Sequence, residues 1–160
     1  MRIVVVSDTH RDFWSFREIV EKHKREAECF IHLGDGMQEL MDIRELYPDV
    51  RIYSVRGNCD FGSRDKETEI LNTEQAKIFF THGHHYHVKY GLYDLKEAAR
   101  QNGAQIALYG HTHEAKAEYD DGLYILNPGS PSHPRAGKGS YGIIDLTQAG
   151  IVLNIVEINP

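Results

Sequence analysis

Cysteine is scarce in this chain of 160 residues. Cys29 and Cys59 are the two present, too few for a disulfide framework, and a reducing, cytoplasmic setting suits them. Long apolar runs are missing as well. The run near the start, Ile3 to Val6, is too short for a signal-peptide core, and no segment approaches the ~20 residues that cross a bilayer. No membrane association is therefore expected. Positive charge is also in deficit: 18 Lys and Arg against 24 Asp and Glu leave a net charge of -6. That balance argues against general nucleic-acid binding, which normally needs a basic face. No repeat, low-complexity stretch or linker is visible, and residues 1–160 fit a single domain with room for one substantial core. Two families of catalytic motif are absent too, the phosphate-cradling P-loop and the G-x-S-x-G nucleophile elbow. Cys59 does not fit a cysteine-dependent phosphatase either, because Arg64 comes one residue too early for C-x5-R.

What the chain does have is ordinary globular composition, 41% hydrophobic and 26% charged, and ten histidines. Arg2 to Val6 form a β-branched run that reads as a buried strand with chemistry at its C-terminal tip. Phe13, Phe16, Val20, His23 and Ala27 recur at helical spacing, and Ser15 with Glu18 suggests a capping box. Cys29 to Leu33 read as a second strand. A helix carrying Met37, Leu40, Met41 and Leu46 follows and closes at Pro48, and Arg51 to Val55 are a third strand. Such alternation predicts parallel strands with helical crossovers. The second half is richer in strands: a hairpin about Asn72-Thr73-Glu74, a helix from Leu92 to Asn102 stopped by Gly103, and a strand from Gln105 to Tyr109. Two more hairpins turn at Asp120-Asp121-Gly122 and Gln148-Ala149-Gly150.

The informative residues come in five short blocks: Ser7-Asp8-Thr9-His10, Gly34-Asp35-Gly36, Gly57-Asn58-Cys59-Asp60, Thr81-His82-Gly83-His84 and Gly110-His111-Thr112-His113. Taken singly each has a bland reading: Asp8-x-His10 as a polar loop, Gly34-Asp35-Gly36 as a tight turn, His111 and His113 as surface histidines. Taken together they carry oxygen and imidazole donors in one order, each just past a predicted strand, at the edge where open α/β sheets gather ligands. Residues two apart on extended backbone point the same way, so Asp8 and His10 can face one ion together. The donor set contains no thiolate and suits Mn, Fe, Zn or Ni. Two divalent ions over the charges of Asp8 and Asp35 leave a local surplus of roughly +2, which lets an acidic protein attract phosphate.

These blocks, with Asn127-Pro128-Gly129-Ser130 and Pro134-Arg135, make the chain resemble the calcineurin-like metallophosphoesterase superfamily, in particular its small single-domain bacterial and archaeal phosphodiesterases. The resemblance implies an α/β fold, a four-layer α/β/β/α sandwich of two mixed sheets flanked by helices. It implies one metal held by Asp8, His10 and His113, a second by Asn58, His82 and His111, and Asp35 bridging them. The cofactors would be two divalent transition-metal ions, manganese first, with Zn, Fe or Ni as substitutes. The activity implied is hydrolysis of a small phosphoester, most of all a phosphodiester, by in-line attack of a dimetal-bridging hydroxide on phosphorus. Where the wider superfamily places a histidine after the asparagine, thought to protonate the leaving group, this chain has Cys59. That leaves Cys59, Asp60 and His84 as candidates for the proton donor.

Two rival functions accompany this reading, a phosphomonoesterase and a non-enzymatic protein-binding scaffold like the retromer subunit of the same fold. The complete set of seven ligands favours an enzyme. His84, His85 and His87 read first as rim or solvated histidines, Cys29 as a core residue, and Ser130, Arg135, Arg56 and Arg64 as candidate substrate contacts. A homo-oligomer is allowed by everything above.

Overall fold

In a computed structural model, which describes residues 1–159, ten strands and three helices form four layers. The elements run β1 (Arg2–Val6), α1 (Phe13–His23), β2 (Cys29–His32), α2 (Met37–Leu46), β3 (Ile52–Ser54), β4 (Thr68–Asn72), β5 (Lys77–Thr81), α3 (Tyr93–Gln101), β6 (Ile106–Leu108), β7 (Lys116–Asp120), β8 (Leu123–Asn127), β9 (Ser140–Thr147) and β10 (Gly150–Glu157). One sheet has the order β10-β9-β1-β2-β3 and the other β4-β5-β6-β8-β7. Both are mixed. β1 lies parallel to β2 and β2 to β3, and likewise β5 to β6 and β6 to β8, while the remaining pairs are antiparallel.

Alternation along each strand decides the layers. Ile3, Val5 and Ile31 of the first sheet face Ile78, Phe80, Ile106 and Leu108 of the second, so the two sheets pack on each other. The opposite faces take the helices. Val4, Val6 and Phe30 pack against Phe16, Ile19 and Val20 of α1 and Leu40 and Ile43 of α2. Phe79, Ala107 and Ile125 pack against Leu95 and Ala99 of α3. Each fully buried Leu, Ile or Phe in these layers contributes about 1.5–3 kcal/mol relative to exposure. The four-layer sandwich is the one the resemblance implied.

Details differ from the sequence reading in four places. Asp12, not Ser15, caps α1: its carboxylate accepts from the Ser15 amide at 3.1 Å and the Ser15 hydroxyl at 2.6 Å. The helix stops at His23, so Ala27 lies beyond it. In α2 the buried face is Glu39, Leu40 and Ile43, while Met41 and Leu46 are exposed. A short 3-10 turn, His84–Tyr86, falls in a stretch without a periodic signal. The turns fared better. Asp121 and Gly122 both have positive φ, at 44° and 84°, as a two-residue hairpin of this twist requires. Gly103, at φ 69°, ends α3.

No helix among the described residues is long and apolar enough to cross a membrane. For the site, the consequence of the topology is positional. β1, β2 and β3 are parallel neighbours in one sheet, β5 and β6 in the other, and the segment following each of the five carries one of the chemical blocks.

Candidate metal centre

The seven donors predicted from sequence converge at the rim where the two sheets meet. Asp8 Oδ1 lies 3.2 Å from His113 Nε2 and 3.7 Å from His10 Nε2, and those two nitrogens are 3.1 Å apart. His82 Nε2 lies 3.0 Å from Asn58 Oδ1, 3.3 Å from Asp35 Oδ2 and 3.2 Å from His111 Nδ1. Asp35 Oδ2 is also 3.8 Å from His10 Nε2, which places it between the two groups. Around an ion with bonds of about 2.1 Å, neighbouring donors stand about 3.0 Å apart in an octahedron and about 3.4 Å in a tetrahedron. The separations of 3.0–3.3 Å fall on those edges, and the two from His10 to the carboxylates, 3.7 and 3.8 Å, lie somewhat beyond them.

The protonation pattern makes the same demand. His82 Nδ1 donates to the Leu33 carbonyl at 2.7 Å and His113 Nδ1 to the His133 carbonyl at 2.7 Å. A carbonyl only accepts, so both rings direct Nε2 and its lone pair inward, as ligating histidines do. Asp8 Oδ2 is satisfied by the Ser7 hydroxyl at 2.5 Å and the His111 amide at 3.0 Å. Asp8 Oδ1 is buried without a hydrogen-bond partner. Acceptors face acceptors, and the arrangement is stable only with positive charge among them.

Without a metal, that charge is protons. Burial alone would raise the Asp8 carboxyl, but the His10 and His113 imidazoles, His82 and the Ser7 hydroxyl outweigh it and hold Asp8 far below the usual carboxylate range. Asp35 is lowered too, burial being outweighed chiefly by His82. The Asp8 contact raises His113, and the Asp35 and Asp8 carboxylates raise His82 against the effect of its burial. His111 goes the other way, to about 4, through burial and the neighbouring His82 and Lys89. Metal binding needs the unprotonated rings. Because His82 and His113 hold their protons above the ordinary histidine range, proton competition begins near neutrality and grows as pH falls. Divalent-metal affinity, measured by titration calorimetry on stripped protein, is expected to fall at least about tenfold between pH 8 and pH 6. Equal affinity at both pH values counts against these ligands.

The backbone around the donors is strained. Asp8 (φ 56°), His10 (41°), Asp35 (58°), His111 (70°) and His113 (59°) are all left-handed. Each costs on the order of 1–2 kcal/mol for a non-glycine residue. Asp8 and His10 thus converge through a left-handed bend rather than the extended backbone expected from their spacing. Cross-strand bonds hold the bend: the Asp8 amide donates to the Gly34 carbonyl at 2.9 Å and the His10 amide to the Asp35 carbonyl at 2.9 Å. Gly57 and Gly110 are required by close approach, since a Cβ at Gly57 would collide with Asp35 Oδ1 and one at Gly110 with the Ser7 hydroxyl.

The non-ligand candidates separate clearly. Asp60 is buried, and its carboxylate accepts from the amides of Asp35 (2.8 Å), Gly36 (3.0 Å), Met37 (3.0 Å) and Gly57 (2.7 Å). Those contacts make it the anchor of two ligand loops and leave it no proton-donor role. Cys59 is exposed at the mouth, its amide bonding Asp35 Oδ1 at 2.8 Å. Partial burial and the Asp35 charge raise its thiol, so it stays protonated. His84 packs edge-on to His82, with burial and the His82 charge lowering it. His85 and His87 are exposed, as read from sequence. Ser130 is fully buried and donates to the Asp8 carbonyl at 2.7 Å, so it props the bend rather than meeting substrate. Arg56 is paired with Glu67 at 2.9 Å, while Arg64 and Arg135 remain exposed.

Several supporting residues escaped the sequence reading. Glu39 is buried in α2 and accepts from the Thr9 hydroxyl at 2.5 Å and the Arg11 amide at 2.9 Å. His32 meets the Thr9 hydroxyl at 3.0 Å, and Ser132 donates to the Thr9 carbonyl at 3.0 Å. The one available signal was an acidic residue on the otherwise apolar face of α2.

Comparison with known proteins is consistent with this geometry. A family model described as the calcineurin-like phosphoesterase superfamily domain matches residues 1–149. "Phosphodiesterase MJ0936" of Methanocaldococcus jannaschii is 32% identical over 167 residues, covering 91% of this chain and 93% of that one. The crystal structure of a predicted phosphoesterase from Streptococcus pneumoniae TIGR4 superposes with a TM-score of 0.86 at 28% identity, covering 98% of this chain and 88% of that one. A Vps29 from Entamoeba histolytica, crystallised with Zn²⁺, shares the fold at TM-score 0.73 and 22% identity, with 99% and 100% coverage.

Proposed function

The chain belongs to the calcineurin-like phosphoesterase superfamily, and from that membership we propose that it is a dinuclear metal-dependent phosphodiesterase. The observation that carries the proposal is the inward-facing set of acceptors: Asp8 Oδ1 orphaned and buried, Asp35 Oδ2 between two groups, and two imidazoles locked with their lone pairs inward. Asp8, His10 and His113 would hold one divalent ion, Asn58, His82 and His111 the other, and Asp35 both. Such ions, when bound, supply a nucleophile at neutral pH and positive charge opposite the phosphoryl oxygens. The protein's part is to fix the donors. Ser7, Leu33 and His133 orient them, Asp60 ties the Asp35 and Asn58 loops together, and Ser130 and Ser132 brace the Asp8–His10 bend. The all-nitrogen and oxygen donor set fits manganese and its first-row neighbours.

The phosphodiester preference is supported by the name of the archaeal relative, and Cys59 at the mouth bears on which leaving groups are cleaved. A thiol with a raised pKa is a poor proton donor, and neutral His84 offers no ready replacement. Good leaving groups, such as aryl oxides, depart without protonation, whereas alkoxides need help worth about 10²–10⁴-fold. Protein stripped by a chelator should therefore be inactive, regain activity with Mn²⁺, and prefer aryl to alkyl diesters and diesters to monoesters. Cys59→His should raise alkyl-ester turnover more than aryl-ester turnover with metal content unchanged. Equal gains on both, or none, would show that another group already delivers the proton. Because a Vps29 of the same fold is crystallised with Zn²⁺, metal content alone does not separate this reading from the scaffold alternative. Turnover does.

A further inference from the structure

A cleft of about 610 Å³ opens directly from His10, Asp35 and Cys59. A group attached to a phosphorus held at the metal centre can run into it. Its lining is uneven. Phe61 stands at the edge with 84% of its surface exposed, and Met37 adds a second apolar group. Arg11 lines the same cleft and makes no ion pair among the described residues, while Gln38 presents a side-chain amide.

The backbone that carries Phe61 is anchored. Phe61 follows Asp60, whose carboxylate is fixed by four backbone amides, so the ring is presented from an anchored loop close to Asn58. An exposed aromatic ring on an anchored loop beside a phosphate-binding centre offers a face to a flat group. A free guanidinium and an amide beside it supply polar edges, and the volume lies in the usual range for small-ligand sites. A lipid chain would instead want a wholly apolar groove. We infer that the cleft is a nucleobase subsite, so that the substrate is a nucleotide phosphodiester whose base stacks on Phe61. The inference rests on the phosphodiesterase reading and names the substrate class for it.

Thymidine 5′-(p-nitrophenyl phosphate) and methyl p-nitrophenyl phosphate share one leaving group and differ in the base-bearing side. On Mn²⁺-loaded protein the nucleoside ester should have the higher kcat/KM, by roughly 5- to 100-fold, the span that base stacking on one aromatic supplies. Phe61→Ala should collapse that ratio towards one and Phe61→Trp should retain it, with metal content checked in both. Wild-type protein without the preference, or Phe61→Ala with the ratio intact, overturns the base subsite. If neither ester is cleaved, the phosphodiesterase reading falls and the subsite is judged by binding. Thymidine 5′-monophosphate must then bind the metal-loaded protein at least about fivefold more tightly than methyl phosphate and lose the difference in Phe61→Ala. Failure of that comparison overturns it as well.

Discussion

Asp35→Asn is expected to lower phosphodiester turnover by about 10³-fold or more and to leave the protein with no more than one bound ion per chain. The substitution preserves shape, and its amide oxygen can still accept from the Cys59 amide, as Asp35 Oδ1 does at 2.8 Å. What it removes is negative charge at Oδ2, the atom lying 3.3 Å from His82 Nε2 and 3.8 Å from His10 Nε2. Asp8 Oδ1 also approaches the second group, at 3.9 Å from His82 Nε2, but Asp35 Oδ2 lies closer to it. Lewis-acid stabilisation by a metal is worth several kcal/mol, and each 1.36 kcal/mol is a factor of ten in rate. Elemental analysis and steady-state rates measure both effects. Asn58→Ala is the control, since Asn58 touches only the His82 group. If Asp35→Asn loses no more activity or metal than that control, Asp35 does not bridge.

Asp60→Ala should be the second most damaging change, and its signature is stability as well as rate. The substitution strips the partner from four backbone amides, those of Asp35, Gly36, Met37 and Gly57, in a place where little water reaches. Leaving buried donors unpaired costs about 1–3 kcal/mol each, and hydrogen bonds to a charged group are at the upper end. Solvent will reach some of the freed amides, so a net loss of about 3–5 kcal/mol is expected, which in a domain of this size lowers Tm by about 10 °C. Thermal unfolding of the metal-free variant measures this directly, away from any effect of bound ions. A proton donor would behave differently: turnover would fall while Tm and metal affinity stayed put. That second pattern would return Asp60 to the chemistry.

These two carboxylates show how far the sequence could be read. Asp35 and Asp60 stand in similar settings, each beside a glycine-containing turn after a short strand. Sequence separated them only through resemblance, and left Asp60 among the candidate acids. The difference lies in what each faces. Asp35 Oδ2 looks into a cluster of imidazoles from three other segments, whereas Asp60 looks at amides 23 to 25 residues away and at one three residues away. The contacts that give Ser130 its role reach across 122 residues to Asp8.

The sequence by itself determined the strands, their apolar alternation and which donor-bearing residues the chain offers. These are local properties, set by side-chain period along a strand and by which atoms a residue type carries. It also placed the donors at strand ends, because a buried strand must stop where polar residues begin. The tertiary structure alone decided how the donors point and what supports them. Asp8 and His10 meet through left-handed backbone that their own sequence disfavours, held by carbonyls of the neighbouring strand's loop. The tautomers of His82 and His113 are set by the Leu33 and His133 carbonyls, which no local pattern could reveal. Strain and hydrogen-bond orientation are non-local because the groups that compensate them come from elsewhere in the chain. Such features follow from packing the two sheets together and cannot be read from either sheet's sequence alone.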